Sequence, residues 1–346
     1  MLGPRNYLLR QGRNRSRRAP AHPLLDCSIP RIVAVRVGIT LGDPHGIGPE
    51  VVLKALAQFA PAADVELVWF ADPLLVKGQA EALGLPVPSV PCVWPLPPVD
   101  WAFGRGTSTS GQAALDSLNL ALDAWRSGQI DALVTPPLSK EHVPLPGFTG
   151  HTGYLAQAAG GEALMMLRGA ELTVALATEH VALTDVRGAL SVDLVVRKLR
   201  ALNAALRQDY GVASPRLALL ALNPHAGDGG RIGSDEQTWL AKALDTAVHE
   251  GLDVHGPFAA DGFFAARGYR DVDATLALYH DQGLIPFKML AFHDGVNCTA
   301  GLDLVRTSPD HGTAWDLAGL GRADAGSMLA ALHTAVEVVK NRRAIR

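Results

Sequence analysis

Aromatic residues make up only 6% of this 346-residue chain, too few to line a groove with stacking platforms for nucleic-acid bases. Cysteine is scarcer still. Cys27, Cys92 and Cys298 are scattered and show no CxxC spacing, which excludes a disulfide framework and fits a reducing compartment. No apolar run approaches the ~18 residues that a membrane-spanning helix requires. A basic stripe is missing as well: the net charge is −3, but residues 1–34 carry seven Arg against one Asp, so the remaining residues carry about −9. An acidic body argues against DNA or RNA. These absences predict a cytoplasmic protein whose partners include neither nucleic acid nor membrane. The basic stretch RNYLLRQGRNRSRRAPAHP within residues 1–34 has no apolar core of its own and reads as a disordered extension outside the fold.

What the chain does have is an alternation of apolar strands and amphipathic helices. RIVAVRVGIT, DVELVWFAD, IDALVT, LTVALAT, RLALLAL and ATLALY read as strands. Between and after them, VVLKALAQFA, GQAALDSLNLALDAWRSG, SVDLVVRKLRALNAALRQ, SDEQTWLAKALDTAVHE and DAGSMLAALHTAVEVVKNRR have helical spacing, the last closing with Lys and Arg as the helix dipole prefers. Several strands are apolar throughout rather than alternating, which predicts an α/β fold with a mostly parallel sheet covered on both faces. PPLSKEHVPLPGFTGHTG is a long irregular segment of the kind that carries function in a compact domain.

In such sheets ligands bind beyond the carboxyl ends of the strands, and polar residues collect there. His180 follows TVALATE, His225 follows LALLALNP, and His280 follows TLALY with Asp281 beside it. Three imidazoles at matched positions, with Asp261 in GPFAADGFF, suit a divalent cation, although strand-end histidines also serve as plain hydrogen-bonding groups. DALV leads into Thr135, Ser139 and Lys140 and then to His151 and Thr152. Neither GDPHGIGPE nor HAGDGGRIG has the spacing of a P-loop or a dinucleotide fingerprint, yet either can turn backbone N–H groups toward an anion. Arg306, followed by Thr307 and Ser308, can grip a phosphate or carboxylate, as can Lys288.

Taken in order, ITLGDPHGIGPEV, VTPPLSKE, FTGHTGYLA, ELTVALATEHVALTDV, LNPHAGDGGRIGSDE, GPFAADGFF, YHDQGLIPFK and GVNCTAGLDLVRTSPDHGTAWDLAGLGRADAGSM resemble the 4-hydroxythreonine-4-phosphate dehydrogenase family over about residues 35–335. The resemblance implies a fold like that of isocitrate and isopropylmalate dehydrogenases. Two α/β/α subdomains, residues 35–140 with 300–346 and residues 141–299, would flank a central cleft in a homodimer whose active sites are shared between subunits. It implies His180, His225 and His280 as metal ligands (zinc, magnesium or cobalt), and His151, Thr152, Lys288, Asn297 and Arg306 as substrate contacts. For NAD or NADP it implies contacts at His311 and Gly312, with Gly227 and Gly230 of the glycine-rich turn added as anion-facing backbone. Lys140, Asp281 and Asp261 are the candidate proton carriers.

The implied reaction is oxidation of 4-phosphohydroxy-L-threonine to a 3-oxo acid, then decarboxylation. Two departures fall in the substrate loop: Gly153 stands where many members have the Glu of GHTE, and VTPPLSK differs from a TGPVHK form. Related enzymes of the same fold oxidise phosphorylated four-carbon sugar acids or cis-dihydrodiol carboxylates, and a metal-dependent hydrolase is the reading from another class.

Overall fold

The computed structural model describes residues 34–148 and 150–345. The basic segment therefore lies outside the described residues except for Ala34, and so do the first residues of RIVAVRVGIT. Ten strands form one sheet: β1 Val35–Thr40, β2 Val65–Phe70, β3 Ala132–Val134, β4 Leu164–Arg168, β5 Thr173–Leu176, β6 Arg216–Leu220, β7 Asp253–Phe258, β8 Ala274–Ala277, β9 Val296–Ala300 and β10 Val305–Pro309. The helices are α1 Gly48–Gln58, α2 Pro73–Leu83, α3 Ser108–Arg126, α4 His151–Ala159, α5 Leu183–Ala189, α6 Val192–Tyr210, α7 Ala241–His249, α8 Ala260–Ala265, α9 His280–Leu290 and α10 Gly326–Ile345.

Local chemistry sets these boundaries. Thr107 and Ser110 form a reciprocal capping box at the start of α3, satisfying N–H groups the helix itself leaves open. Ser191 caps α6 by accepting from the Leu194 N–H at 3.1 Å, and the helix stops at Gly211, whose φ of 69° ends the ladder. Between these ends Val195, Leu199, Leu202 and Leu206 recur at helical spacing and are buried. In β5, β6 and β8 the apolar run is buried on both faces: Val174, Leu176, Leu217, Leu219 and Leu276 have no exposed surface. Each such side chain contributes about 1.5–3 kcal/mol relative to exposure.

The strand order is β2-β1-β3-β10-β9-β4-β5-β8-β6-β7. It contains two parallel blocks, β2-β1-β3-β10 and β5-β8-β6-β7. The centre is antiparallel, since β9 opposes β10 and β4, and β4 opposes β5. Three reversals separate the blocks, so they run in opposite directions. The carboxyl ends of β5, β6 and β8 share one edge, as the sequence implies for the three histidines, whereas the end of β3 points to the other edge. Residues from both edges meet over β10, β9 and β4, which the hydrophobic pattern did not reveal; it also missed the edge strand β7.

Candidate active site

The floor of the site is built from one face of these antiparallel strands. Arg306 pairs with Thr299 across β10 and β9, Ser308 pairs with Asn297, and Met165 of β4 pairs with Thr299. Because side chains alternate along a strand, Arg306 and Ser308 of β10 share a face. Above this floor lies a cleft of about 440 Å3 whose lining includes Leu138, Lys140, His151, Thr152, Glu179, His180, Lys288, Asn297, Arg306, Asp310, His311 and Gly312.

Arg306 is only 4% exposed. Its Nε donates to Thr135 Oγ1 at 2.9 Å and its Nη1 to Thr299 Oγ1 at 3.2 Å, both neutral partners. Burial pushes the guanidinium down to about 10. A buried cation held by hydroxyls alone is costly without an anion beside it. Lys288 stands nearby, its Nζ 3.5 Å from Asp310 Oδ2. Two further groups point to a ligand: Asn297 Oδ1 and His311 Nε2 are buried yet have no hydrogen-bond partner. Such atoms are rare unless something binds them.

His151 and Thr152 open α4 after Gly150, whose φ is 114°. A Cβ on Gly150 would lie 2.6 Å from Lys140 Cε, so only glycine lets Lys140 pass this close. Burial first, then the charges of Arg306 and Lys140, holds the His151 imidazole well below its ordinary range, so it is neutral.

His180 and His280 face each other with ring centroids 5.8 Å apart. At metal–nitrogen distances near 2.0–2.1 Å, two imidazoles sharing a cation place their ring centres at most about 6.5 Å apart, so the pair fits. His280 Nδ1 donates to Asp281 Oδ1 at 2.7 Å, which leaves Nε2 as the lone-pair nitrogen. Burial, then the charges of Lys140 and His280, lowers the His180 imidazole and favours the neutral, ligating form.

His225 does not join them. It lies exposed in a left-handed turn after β6 and does not line the cleft, and among the described residues no group of three or more His, Cys, Asp or Glu gathers to hold a cation. The His180–His280 pair thus fits two imidazole ligands of one cation. Gly227 and Gly230 share the His225 turn and also stand outside the cleft lining, as do Asp261 on α8 and, at the start of α9, His280 and Asp281, of which His280 reaches the cleft only through His180.

A family model described as pyridoxal phosphate biosynthetic protein PdxA matches residues 48–335. The chain belongs to the PdxA family. It is 42% identical to a 4-hydroxythreonine-4-phosphate dehydrogenase of Burkholderia vietnamiensis, over 90% of this chain and 98% of the relative. The crystal structure of a 4-hydroxythreonine-4-phosphate dehydrogenase from Klebsiella pneumoniae superposes with a TM-score of 0.76 at 31% identity, covering 89% of this chain and 98% of that one. A terephthalate 1,2-cis-dihydrodiol dehydrogenase from Burkholderia xenovorans superposes at 0.60 with 32% identity, covering 88% and 98%. At the level of the fold alone, a β-decarboxylating dehydrogenase from Thermococcus kodakarensis matches with a TM-score of 0.51 at 15% identity, covering 90% of this chain and 88% of that one.

Two residues of the cleft escaped the sequence reading. Glu179 lies next to His180 in ATEH and accepts from the Met165 N–H; burial raises its carboxyl, and Lys198 and Met165 offset part of that rise. Asp310 follows SP at the end of β10, and burial raises its carboxyl against the pull of Lys288. The only signal for either was adjacency to a histidine, His180 for one and His311 for the other.

Proposed function

We propose that the protein is a 4-hydroxythreonine-4-phosphate dehydrogenase, oxidising 4-phosphohydroxy-L-threonine with NAD or NADP and a divalent metal. The 3-oxo acid formed then loses CO2 to give 3-amino-2-oxopropyl phosphate, a precursor in pyridoxal phosphate biosynthesis. The observation that carries this reading is Arg306, buried at the floor of the cleft with hydroxyl partners only, in a cleft that His180 also lines.

Arg306 and Lys288 bind the anionic end of the substrate, and neutral His151 with Thr152 adds hydrogen bonds. His180 and His280 would hold the cation, with His225 of a second copy completing the set. A bound cation would acidify the substrate hydroxyl, and a bound nicotinamide ring would accept the hydride. Lys140 takes the hydroxyl proton and returns it to the carbon vacated by CO2. Asp281 orients His280 through the 2.7 Å bond. His311 and Gly312 contact the cofactor.

A homodimer agrees with the exposed apolar residues on and just after α9, where Ile285, Met289 and Phe292 are 60%, 81% and 73% exposed. Residues 35–140 with 300–346 and residues 141–299 serve as the two subdomains in this reading, the second boundary falling just before Ala300, the last residue of β9.

The test is NADH absorbance with purified protein, NAD and 4-phosphohydroxy-L-threonine, with and without a chelator. Chelator-sensitive NADH formation is the expected result. Turnover only with 4-phosphoerythronate or a cis-dihydrodiol carboxylate would keep the cleft and change the substrate.

A further inference from the structure

The turn that carries His225 is unusual in its backbone. From His225 to Gly229 the φ angles are 53°, 52°, 80°, 43° and 63°, five consecutive left-handed residues of which three have side chains. Side-chain residues adopt this conformation reluctantly and persist in it only where the surroundings impose it.

Glu236 imposes it. This residue begins the π-helical turn Glu236–Leu240 that leads into α7, and it is 5% exposed. Its Oε1 accepts from the N–H groups of Leu222 and Asn223 at 2.9 and 2.7 Å, and its Oε2 accepts from Asn223 Nδ2 at 3.0 Å. Asn223 Nδ2 also donates to Asp235 Oδ2 at 3.0 Å. The turn closes tightly over this carboxylate: a Cβ on Gly227 would meet Glu236 Oε2 at 2.7 Å, and one on Gly233 would meet Asn223 Nδ2 at 2.5 Å.

The clamp extends to the neighbouring strand end. Asp235 Oδ1 accepts from Trp239 Nε1 at 2.7 Å and from Arg187 Nε, and the Arg187 guanidinium lies 5.0 Å over the Trp239 ring. Arg187 belongs to α5, which begins three residues after His180. The turn bearing His225 is thereby tied to the helix that follows His180.

We propose that Glu236 is a positioning residue for His225, with Asn223, Asp235 and Arg187 transmitting that placement to the segment bearing His180. The inference rests on the three-histidine reading above. The clamp keeps the His225 imidazole turned out from its own cleft, preformed as a donor to a second copy, so that no ordering of the turn is needed when the cation binds.

Glu236→Gln tests this. The amide keeps an oxygen for the two backbone N–H groups but turns a donor toward Asn223 Nδ2, and flipping Asn223 would set its oxygen against Asp235. Cobalt(II) alone is the probe, read by equilibrium dialysis and by its visible absorption in wild type, His225→Ala, Glu236→Gln and Arg187→Ala. The expected result is that Glu236→Gln weakens cobalt binding roughly 10- to 100-fold and alters the band in the direction of His225→Ala, with the dimer retained. Arg187→Ala, at an exposed residue, should weaken it several-fold in the same direction even if Glu236→Gln fails to fold. Wild-type affinity and spectrum in both variants, beside a clear loss in His225→Ala, would overturn this inference alone. Unchanged cobalt binding in His225→Ala would instead overturn the three-histidine reading, and the inference with it.

Discussion

The Arg306 Nε–H donates to Thr135 Oγ1 across 2.9 Å, joining β10 to the segment that follows β3 at the floor of the cleft. Function and stability conflict at this contact. Arg306→Met removes a buried charge that has no carboxylate partner, so thermal stability should hold or rise, by about 1–4 kcal/mol on the scale of buried ionic groups replaced by apolar ones. Losing charge-assisted bonds worth about 1.5–3 kcal/mol should cut kcat/KM for the phosphorylated substrate by roughly 10- to 150-fold. Calorimetry and steady-state kinetics on one preparation check both arms; a destabilised variant with normal kcat/KM would contradict the role given to Arg306.

Sharing of the site between copies can be tested by complementation. His225→Ala and His280→Ala homodimers should each be inactive. In a heterodimer of the two, one site is intact and the other lacks both ligands. Random assembly makes half of the dimers mixed, so co-expression should restore about a quarter of wild-type activity. No recovery in verified heterodimers would place all three ligands in one chain.

His151 gives a pH dependence of definite sign. Burial and the neighbouring charges of Arg306 and Lys140 hold its folded pKa below the unfolded value of 6.5. The unfolded chain therefore binds more protons below that value. The His151 contribution is fully present above pH 6.5 and is lost as pH falls, by up to about 1.4 kcal/mol per pH unit. Denaturant midpoints of wild type and His151→Gln should converge between pH 7.5 and about pH 5 if the variant starts less stable. His180 and His311 shift in the same direction, so the slope should shrink rather than vanish.

Gly150→Ala should damage turnover more than folding. The residue sits at φ 114°, and its Cβ would displace Lys140, whose Cε lies 2.6 Å from the added atom. A strained backbone of this kind costs on the order of 1–3 kcal/mol, measurable by urea titration. The accompanying fall in kcat, with KM little changed, would locate the effect at Lys140.

The apolar pattern revealed β1, β2, β3, β5, β6 and β8 and hid the central β10, β9 and β4 and the mostly exposed edge strand β7, for a physical reason. β5, β6 and β8 are buried on both faces and read as unbroken apolar runs. β9 and β10, VNCTA and VRTSP, turn Asn297, Thr299, Arg306 and Ser308 to a polar cleft, which breaks the alternation that marks a strand. His180 and His280 were legible as strand-end residues because β5 and β8 are parallel neighbours. His225 occupies the same position in the sequence pattern, but the left-handed turn after β6 carries it elsewhere. Glu179 was hidden by its neighbour, since ATEH draws attention to the imidazole. The expected helix SDEQTWLAKALDTAVHE begins with a π-helical turn because Glu236 is committed to the backbone of the preceding loop.

A cleft floored by hydrogen-bonded strands has a fixed gauge. Arg306, Thr299 and Met165 stand in one row across β10, β9 and β4, and the Met165 N–H meets Glu179 beside His180. Two strand spacings, about 10 Å, thus separate the Arg306 end from the histidine end. That span is set by backbone ladders rather than by loop side chains. Substitutions in the 137–153 loop can retune which groups are recognised, but the length of molecule that reaches both ends is written into the sheet.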